Sequence, residues 1–228
     1  VLKLSAIEKF SIVMNLTSSS SGSNGYARIL TYSLDEERMN FMIGQWEDCL
    51  VFLVKANGLP RRVHFEVEGV LKKGERDSLA IVFDGERLSL YRNGEVTRTR
   101  KTGPLDFSTW DKGFPLVIGS EANGKFPWEG QIHSIAIFDW VLSPEELRSF
   151  GELGGQDSHR LDSPLVNYRF ADGQGPTIKD LGKGAPADLV IPKYFAPYKR
   201  SFLTKPATEF RDLWKNRKDI LLNVLLFM

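Results

Sequence analysis

The sequence is poor in the residues that build disulfide frames and metal centres. Its 228 residues include one cysteine and three histidines. The cysteine, Cys49, lies in the apolar run CLVFLV, so no disulfide or cysteine zinc site can form within the chain, and we expect a buried, unreactive thiol. The histidines are far apart and fit no metal-binding spacing such as H-E-x-x-H. No metal site and no cofactor are therefore predicted.

An excess of charge of either sign is also missing. Thirty basic and 29 acidic residues give a formal net charge of +1. Such a chain has no overall field that attracts nucleic acid, and its aromatic residues do not lie among clustered arginines. Nucleic acid is therefore not expected as a partner. The hydrophobic content of 42% supplies enough apolar surface for a sizeable core.

Helical periodicity is absent between residues 10 and 138. This segment consists of roughly ten short runs rich in β-branched and aromatic residues, separated by turn clusters. Asn93-Gly94, between RLSLYR and EVTRTR, suits a two-residue hairpin turn because both residues tolerate positive φ. The gaps between runs are too short and polar for the crossover helices of a parallel sheet. The sequence thus predicts an all-β fold, an antiparallel sandwich.

The stretch from Trp128 to Leu147 is predicted to be scaffold. IHSIAIFDW is apolar on both faces near its end, which indicates a central strand. Ser143 is followed by proline and then, three residues after itself, by Glu146, which together form a capping box. We therefore expect a short helix that ends near Gly151.

Three motifs in this order resemble the laminin G-like, concanavalin A-like jelly-roll superfamily: RLSLYRNGEV, PLVIGS and FPWEGQIHSIAIFDWVLSPEEL. The resemblance covers residues 8–150 and implies a jelly-roll β-sandwich. The usual first-strand pattern of such domains occurs here after the sandwich, as YRFADGQGPTIKD. We therefore predict that a strand near 165–171 completes the sandwich and that one domain spans 1–192. The alternative is an incomplete second repeat.

Two segments resemble VanZ-like bacterial membrane proteins, some of which carry a jelly-roll insert: DLVIP at 188–192 and DILLNVLLFM at 219–228. The resemblance implies that 193–228 forms a linker and an amphipathic helix leading into a truncated membrane segment. It also implies a cell-membrane location with the domain on the extracytoplasmic side. The alternative is a buried helix end, because the apolar run is shorter than the ~20 residues of a membrane span.

Catalytic motifs are missing from the sequence. No G-x-S-x-G nucleophile motif occurs. Glu66 and Glu68 are the nearest approach to the paired carboxylates of jelly-roll glycosidases, and they match no fuller E-x-D-x-x-E array. No catalytic residue is predicted, and the chain is not expected to be an enzyme.

Two loops, FSTWDKGF and ANGKFPWEG, combine aromatic faces with polar side chains that could stack on a sugar and hydrogen-bond to it. The predicted ligand-binding residues are Trp110, Asp111, Asn123, Lys125 and Trp128. The alternative is that the tryptophans close the ends of the sandwich. Members of the superfamily often bind calcium, but no residue here matches a ligand motif well enough to be assigned.

The leading hypothesis is a non-enzymatic extracytoplasmic module that binds a glycan or a cell-envelope protein and is tethered to a membrane. The alternatives are a glycoside hydrolase of the same superfamily and a structural spacer without a ligand. Two carboxylates facing each other across a groove at about 5 to 10 Å would favour the hydrolase.

Overall fold

The computed structural model describes residues 7–20, 25–152, 164–170, 175–184 and 187–191. These residues form thirteen strands and one helix. In chain order they are β1 (Phe10–Ser18), β2 (Ala27–Ser33), β3 (Met39–Trp46), β4 (Cys49–Val54), β5 (Val63–Val67), β6 (Arg76–Phe83), β7 (Arg87–Arg92), β8 (Glu95–Lys101), β9 (Leu116–Ile118), β10 (Gly130–Phe138), α1 (Pro144–Glu152), β11 (Val166–Arg169), β12 (Thr177–Ile178) and β13 (Leu189–Val190).

Two antiparallel sheets pack into a sandwich. The six-stranded sheet has the order β11-β10-β1-β6-β7-β8, and the five-stranded sheet has the order β5-β4-β3-β2-β9. Strands distant in sequence are neighbours, as in β1 between β6 and β10, which is typical of a jelly roll. The predicted antiparallel β-sandwich is confirmed. The predicted C-terminal helical extension lies outside the described residues.

Side-chain alternation along the strands builds the core between the sheets. Its largest fully buried side chains come from both sheets and include Tyr32, Phe41, Phe52, Phe83 and Tyr168. Aromatic pairs cross this core; for example, the ring centroids of Phe10 in β1 and Phe52 in β4 lie 6.2 Å apart. The outer face of the six-stranded sheet is covered in part by α1, which packs on β6.

The outer face of the five-stranded sheet also carries buried apolar residues. Met39, Met42, Cys49 and Val51 form a separate cluster on this face. Burial raises the pKa of the Cys49 thiol to about 12, with a further contribution from the hydrogen bond to Asp48. The thiolate is therefore strongly disfavoured, and the expected unreactive, buried cysteine is found.

The strand β10 lies inside the six-stranded sheet, as predicted for a central strand. Ile135 of β10 lies opposite Met14 of β1 on one side and opposite Tyr168 of β11 on the other. The segment expected to contribute a strand near 165–171 therefore supplies β11, which pairs antiparallel with β10 at the edge of the sheet. This pairing buries Val166 and Tyr168 in the core.

The predicted hairpin turn joins β7 to β8. Asn93 and Gly94 have φ angles of 54° and 80°, as a type I′ turn requires. A Cβ on Gly94 would lie 2.8 Å from the Cβ of Arg148 in α1. The turn therefore needs glycine both for its backbone conformation and for its contact with the helix.

The predicted capping box begins α1. The backbone N–H of Glu146 donates to Ser143 Oγ at 3.2 Å, and the N–H of Ser143 donates to Glu146 Oε2 at 2.7 Å. The two bonds satisfy backbone donors that a helix start leaves without partners.

Ser143→Ala is expected to lower the free energy of unfolding by about 1 kcal/mol, because one N-terminal N–H of α1 loses its acceptor. Urea unfolding measures the change. Ser149→Ala, at an exposed position of the same helix, is the matched control and is expected to change stability by less than about 0.5 kcal/mol. Equal effects of the two substitutions would contradict a role for the cap.

Candidate functional site

An open groove with a volume of about 970 Å³ crosses the outer face of the five-stranded sheet. We call it the sheet groove. Its lining combines aromatic, apolar and charged side chains: Tyr26, Leu34, Glu37, Arg38, Met39, Leu53, Lys55, Ala56, Leu59, Pro60, Arg61, Arg62, His64, Thr109, Asp111 and Phe114. The volume is at the upper end of that of small-molecule sites.

One end of the sheet groove is aromatic. The rings of Tyr26 and Trp46 meet edge to face, with centroids 5.5 Å apart. The centroids of the Tyr26 and His64 rings lie 6.2 Å apart. Trp46 flanks the groove and is 36% exposed, while His64 Nε2 lies 3.0 Å from Glu66 Oε2. We call Tyr26, Trp46 and His64 the aromatic end.

The other end of the sheet groove is cationic. Arg38, Lys55, Arg61 and Arg62 line it, near the start of β3, the end of β4 and the start of β5. We call these four residues the cationic end. Arg38 Nε donates to Asp35 Oδ2 at 2.8 Å, and this bonding lowers the pKa of the Asp35 carboxyl to about 2. Arg62 donates to the backbone carbonyl of Glu37.

A buried asparagine holds the wall beside the cationic end. Asn40 Nδ2 donates to the carbonyl of Asp111 at 2.8 Å, and the Asp111 N–H donates to Asn40 Oδ1 at 2.9 Å. Trp110 Nε1 donates to the carbonyl of Lys55 at 2.7 Å. Tyr32 lies in the core below this wall. Burial is the larger cause, and the Asp111 carboxylate the smaller one, that raises the pKa of its hydroxyl. The backbone positions of Asp111 and Lys55 are thus fixed from the core side.

A buried ion pair attaches the loop of residues 119–129, between β9 and β10, to the five-stranded sheet. We call this segment the 119–129 loop. Arg28 Nε donates to Glu121 Oε1 at 2.9 Å, and Ser33 Oγ donates to Glu121 Oε2 at 2.7 Å. The side chains of Arg28 and Glu121 are 6% and 0% exposed. The Arg28 guanidinium also lies 4.8 Å from the ring centroid of Phe126. The loop that precedes β10 is therefore held to β2 through Glu121 and Phe126.

Of the sequence-predicted binding residues, Asp111 lies in the sheet groove. Trp110, its neighbour, is 7% exposed and packs in the core, with its ring centroid 4.7 Å from that of Phe107. Its indole therefore supports the groove from beneath, and little of its face is open to a ligand.

Trp128 lies away from Trp110, near the opposite end of β3. Its Nε1 donates to Gln45 Oε1 at 2.7 Å, and it is 9% exposed. Asn40 bonds to Asp111 and Gln45 bonds to Trp128. These two residues are five positions apart in β3, or about 17 Å along the strand. A Cβ on Gly130 would lie 2.3 Å from the Trp128 ring. The glycine two residues after Trp128 is thus explained by the packing of the indole across a backbone without a side chain.

The two remaining predicted residues, Asn123 and Lys125, belong to the 119–129 loop. Asn123 is exposed, and its Oδ1 accepts from the backbone N–H of Lys125. Lys125 Nζ lies 3.0 Å from Glu36 Oε1, in the loop that also carries Glu37 and Arg38. The five predicted residues are therefore not brought together in one place.

The histidines His64 and His133 are strand residues in β5 and β10, as expected. His133 Nε2 lies 3.1 Å from Thr17 Oγ1, and burial lowers its pKa. Among the described residues, no group of three His, Cys, Asp or Glu side chains could hold a metal ion. In the same part of the chain, no helix is long and apolar enough to cross a membrane.

Sequence reasoning missed most of the sheet groove, including Tyr26, His64 and Arg62. The residues of its floor alternate with core residues along β4 and β5, so they lie on the outer face. One signal in the sequence pointed to this face. The run CLVFLV is apolar at consecutive positions, which indicates a strand with apolar contacts on both faces.

Comparisons with known proteins agree with this architecture. The family model described as the concanavalin A-like lectin/glucanases superfamily matches residues 8–148. A carbohydrate-binding module, CBM40 of the Ruminococcus gnavus IT-sialidase bound to α2,3 sialyllactose, aligns with a TM-score of 0.52 and 16% identity, over 65% of this chain and 85% of that one.

Two further solved structures share the fold. A proposed carbohydrate-binding protein from Bacteroides ovatus aligns with a TM-score of 0.58 and 16% identity, over 86% of this chain and 58% of that one. A mutant of the NanB sialidase from Streptococcus pneumoniae aligns with a TM-score of 0.52 and 17% identity, over 62% of this chain and 24% of that one. Such identities establish likeness of fold. No curated protein matches the sequence.

Proposed function

The chain belongs to the concanavalin A-like lectin/glucanases superfamily, and on that premise we propose that it is a non-enzymatic glycan-binding module whose ligand occupies the sheet groove. Two of the solved structures with this fold are a module bound to sialyllactose and a proposed carbohydrate-binding protein. They support the ligand class, and the groove supplies the location.

The aromatic end is the observation that carries this proposal. Sugar rings present C–H faces that pack on aromatic rings, and their hydroxyls need nearby polar partners. Tyr26 and the partly exposed Trp46 supply aromatic surface, while His64, Lys55 and Asp111 supply donors and acceptors along the same groove.

The sequence-predicted residues then take different roles. Asp111 contacts the ligand, and Trp110 holds the groove wall through its hydrogen bond to the Lys55 carbonyl. Asn123, Lys125 and Trp128 stabilise the loop beside the groove. Neither calcium nor another cofactor is part of the proposal.

The proposed setting of the module is the extracytoplasmic side of a cell membrane, tethered to a VanZ-like membrane domain. It rests on the resemblance of residues 188–192 and 219–228. Most of these residues lie outside those that the structure describes.

Tyr26→Ala and His64→Ala are each expected to weaken glycan binding by about tenfold, the equivalent of 1.4 kcal/mol of lost stacking and hydrogen bonding. An immobilised panel of neutral and acidic glycans measures binding of the wild type and both variants. Val96→Ala is the control, because Val96 is exposed on β8 of the other sheet.

Urea unfolding verifies that the variants remain folded. Unchanged binding by folded Tyr26→Ala and His64→Ala would remove the site from the sheet groove. Reducing sugar released from the panel by the wild type would contradict the non-enzymatic assignment, and a wild type that binds no glycan would favour the spacer.

A further inference from the structure

We infer that the sheet groove selects glycans that carry an anionic substituent, a carboxylate or a sulfate, and that it binds this substituent at the cationic end. This inference rests on the proposed function and adds the chemistry of the ligand. It is carried by the pairing of β4 with β5, by the charges that line the groove and by the lack of an ion pair, among the described residues, for three of these charges.

The register places two cations side by side on the groove face. Val54 of β4 lies opposite Val63 of β5 in the last pair of this ladder, and Lys55 and Arg62 are the residues that adjoin this pair on the two segments. Side-chain alternation puts both on the same face as Leu53 and His64, which also line the groove. Like charges held close together on one face repel each other. An anion between them would relieve this repulsion.

Among the described residues, no carboxylate fills that role. The described residues that line the groove include four permanent cations and two carboxylates, Glu37 and Asp111. Arg38 is paired with Asp35. Within the described residues, the side chains of Lys55, Arg61 and Arg62 form no ion pair with a carboxylate. Three exposed cations therefore meet in one place with little to neutralise them.

The side chains suit the proposed anion. A guanidinium presents parallel N–H donors that match the two oxygens of a carboxylate or sulfate, and an ammonium adds a compact charge. Arg62 is oriented by its hydrogen bond to the Glu37 carbonyl. His64 lies two residues along the strand from Arg62, at about 7 Å. One oligosaccharide can therefore place its anionic group at the cationic end and a neutral ring at the aromatic end.

A different explanation of the same charges is protection of an edge strand. β5 is the last strand of its sheet, and charged residues on edge strands prevent pairing between molecules. That role requires charge at the strand but no particular ligand. The two explanations differ in what a charge-removing variant does to glycan selectivity.

The test is isothermal titration calorimetry of the intact chain with lactose, sialyllactose and sulfated lactose, after the glycan panel has been screened for any binding. The variant Lys55→Gln/Arg62→Gln removes both opposed cations. The matched control is Arg87→Gln/Lys101→Gln, which removes another cross-strand pair of cations, between β7 and β8 on the other sheet.

We expect the wild type and the control to bind an acidic lactose at least about tenfold more tightly than lactose, with affinity falling as salt rises. The Lys55→Gln/Arg62→Gln variant is expected to bind acidic and neutral lactose alike, with an unchanged or higher urea midpoint.

Binding of sialyllactose alone would assign a carboxylate, and binding of both acidic probes a general anion site. Equal affinity of the wild type for neutral and acidic glycans overturns this inference but leaves the glycan module intact. A wild type that binds nothing on the panel overturns both.

Discussion

Glu121→Ala is expected to lower the free energy of unfolding by about 3 to 5 kcal/mol, because it leaves the Arg28 guanidinium buried without its counter-charge. The carboxylate accepts hydrogen bonds from both Arg28 and Ser33. Its removal therefore leaves two buried donors unsatisfied as well as one charge. Urea unfolding at neutral pH measures the loss.

The control for this prediction is Glu36→Ala, which breaks the exposed ion pair with Lys125 and is expected to cost less than about 1 kcal/mol. A second variant, Glu121→Leu/Arg28→Met, removes both buried charges and is expected to be more stable than Glu121→Ala, because no charge remains unpaired. A cost of Glu121→Ala no greater than that of Glu36→Ala would show that the buried pair does not hold the loop.

Ile135→Ala is expected to cost about 2 to 5 kcal/mol, because it opens a cavity in the middle of the core. Ile135 is fully buried and lies between Met14 and Tyr168 in the six-stranded sheet. Chemical unfolding of the wild type and the variant gives the difference. An unchanged dependence on denaturant would show that the effect is on stability and not on the unfolded state.

The control on the same strand is His133→Ala, expected to cost less than about 1 kcal/mol through one lost hydrogen bond to Thr17. If His133→Ala proved as costly as Ile135→Ala, the interpretation of this stretch as an apolar scaffold would be wrong. Such a result would direct attention to His133 as a functional group.

Local signals predicted the fold well. Asn93-Gly94 and Ser143 with Glu146 act over two to four residues, and the same residues form the turn and the capping box in the structure. Strand alternation is equally local, which is why β10 was predicted as a central strand. These features need no knowledge of what lies opposite.

The site depends on contacts between distant positions, and the sequence does not specify them. Glu121 lies in a polar loop, and nothing nearby indicates that it is buried against Arg28, 93 positions away. Lys55 and Arg62 line the same groove only because β4 pairs with β5. The loop tryptophans looked suited to a ligand because composition does not distinguish a ring that faces inward from one that faces outward.

The position of β1 in the six-stranded sheet determines how the chain must fold. Its two neighbours, β6 and β10, begin at Arg76 and Gly130. The backbone N–H and C=O groups on both edges of β1 can therefore pair only after these later segments have been synthesised. During synthesis the second edge stays open until more than a hundred residues have followed, and it is then a template for pairing with other chains. Closing such long loops is slow. We expect folding to be limited by the arrival of β10, and a chaperone that shields β1 until then would raise the yield of native protein.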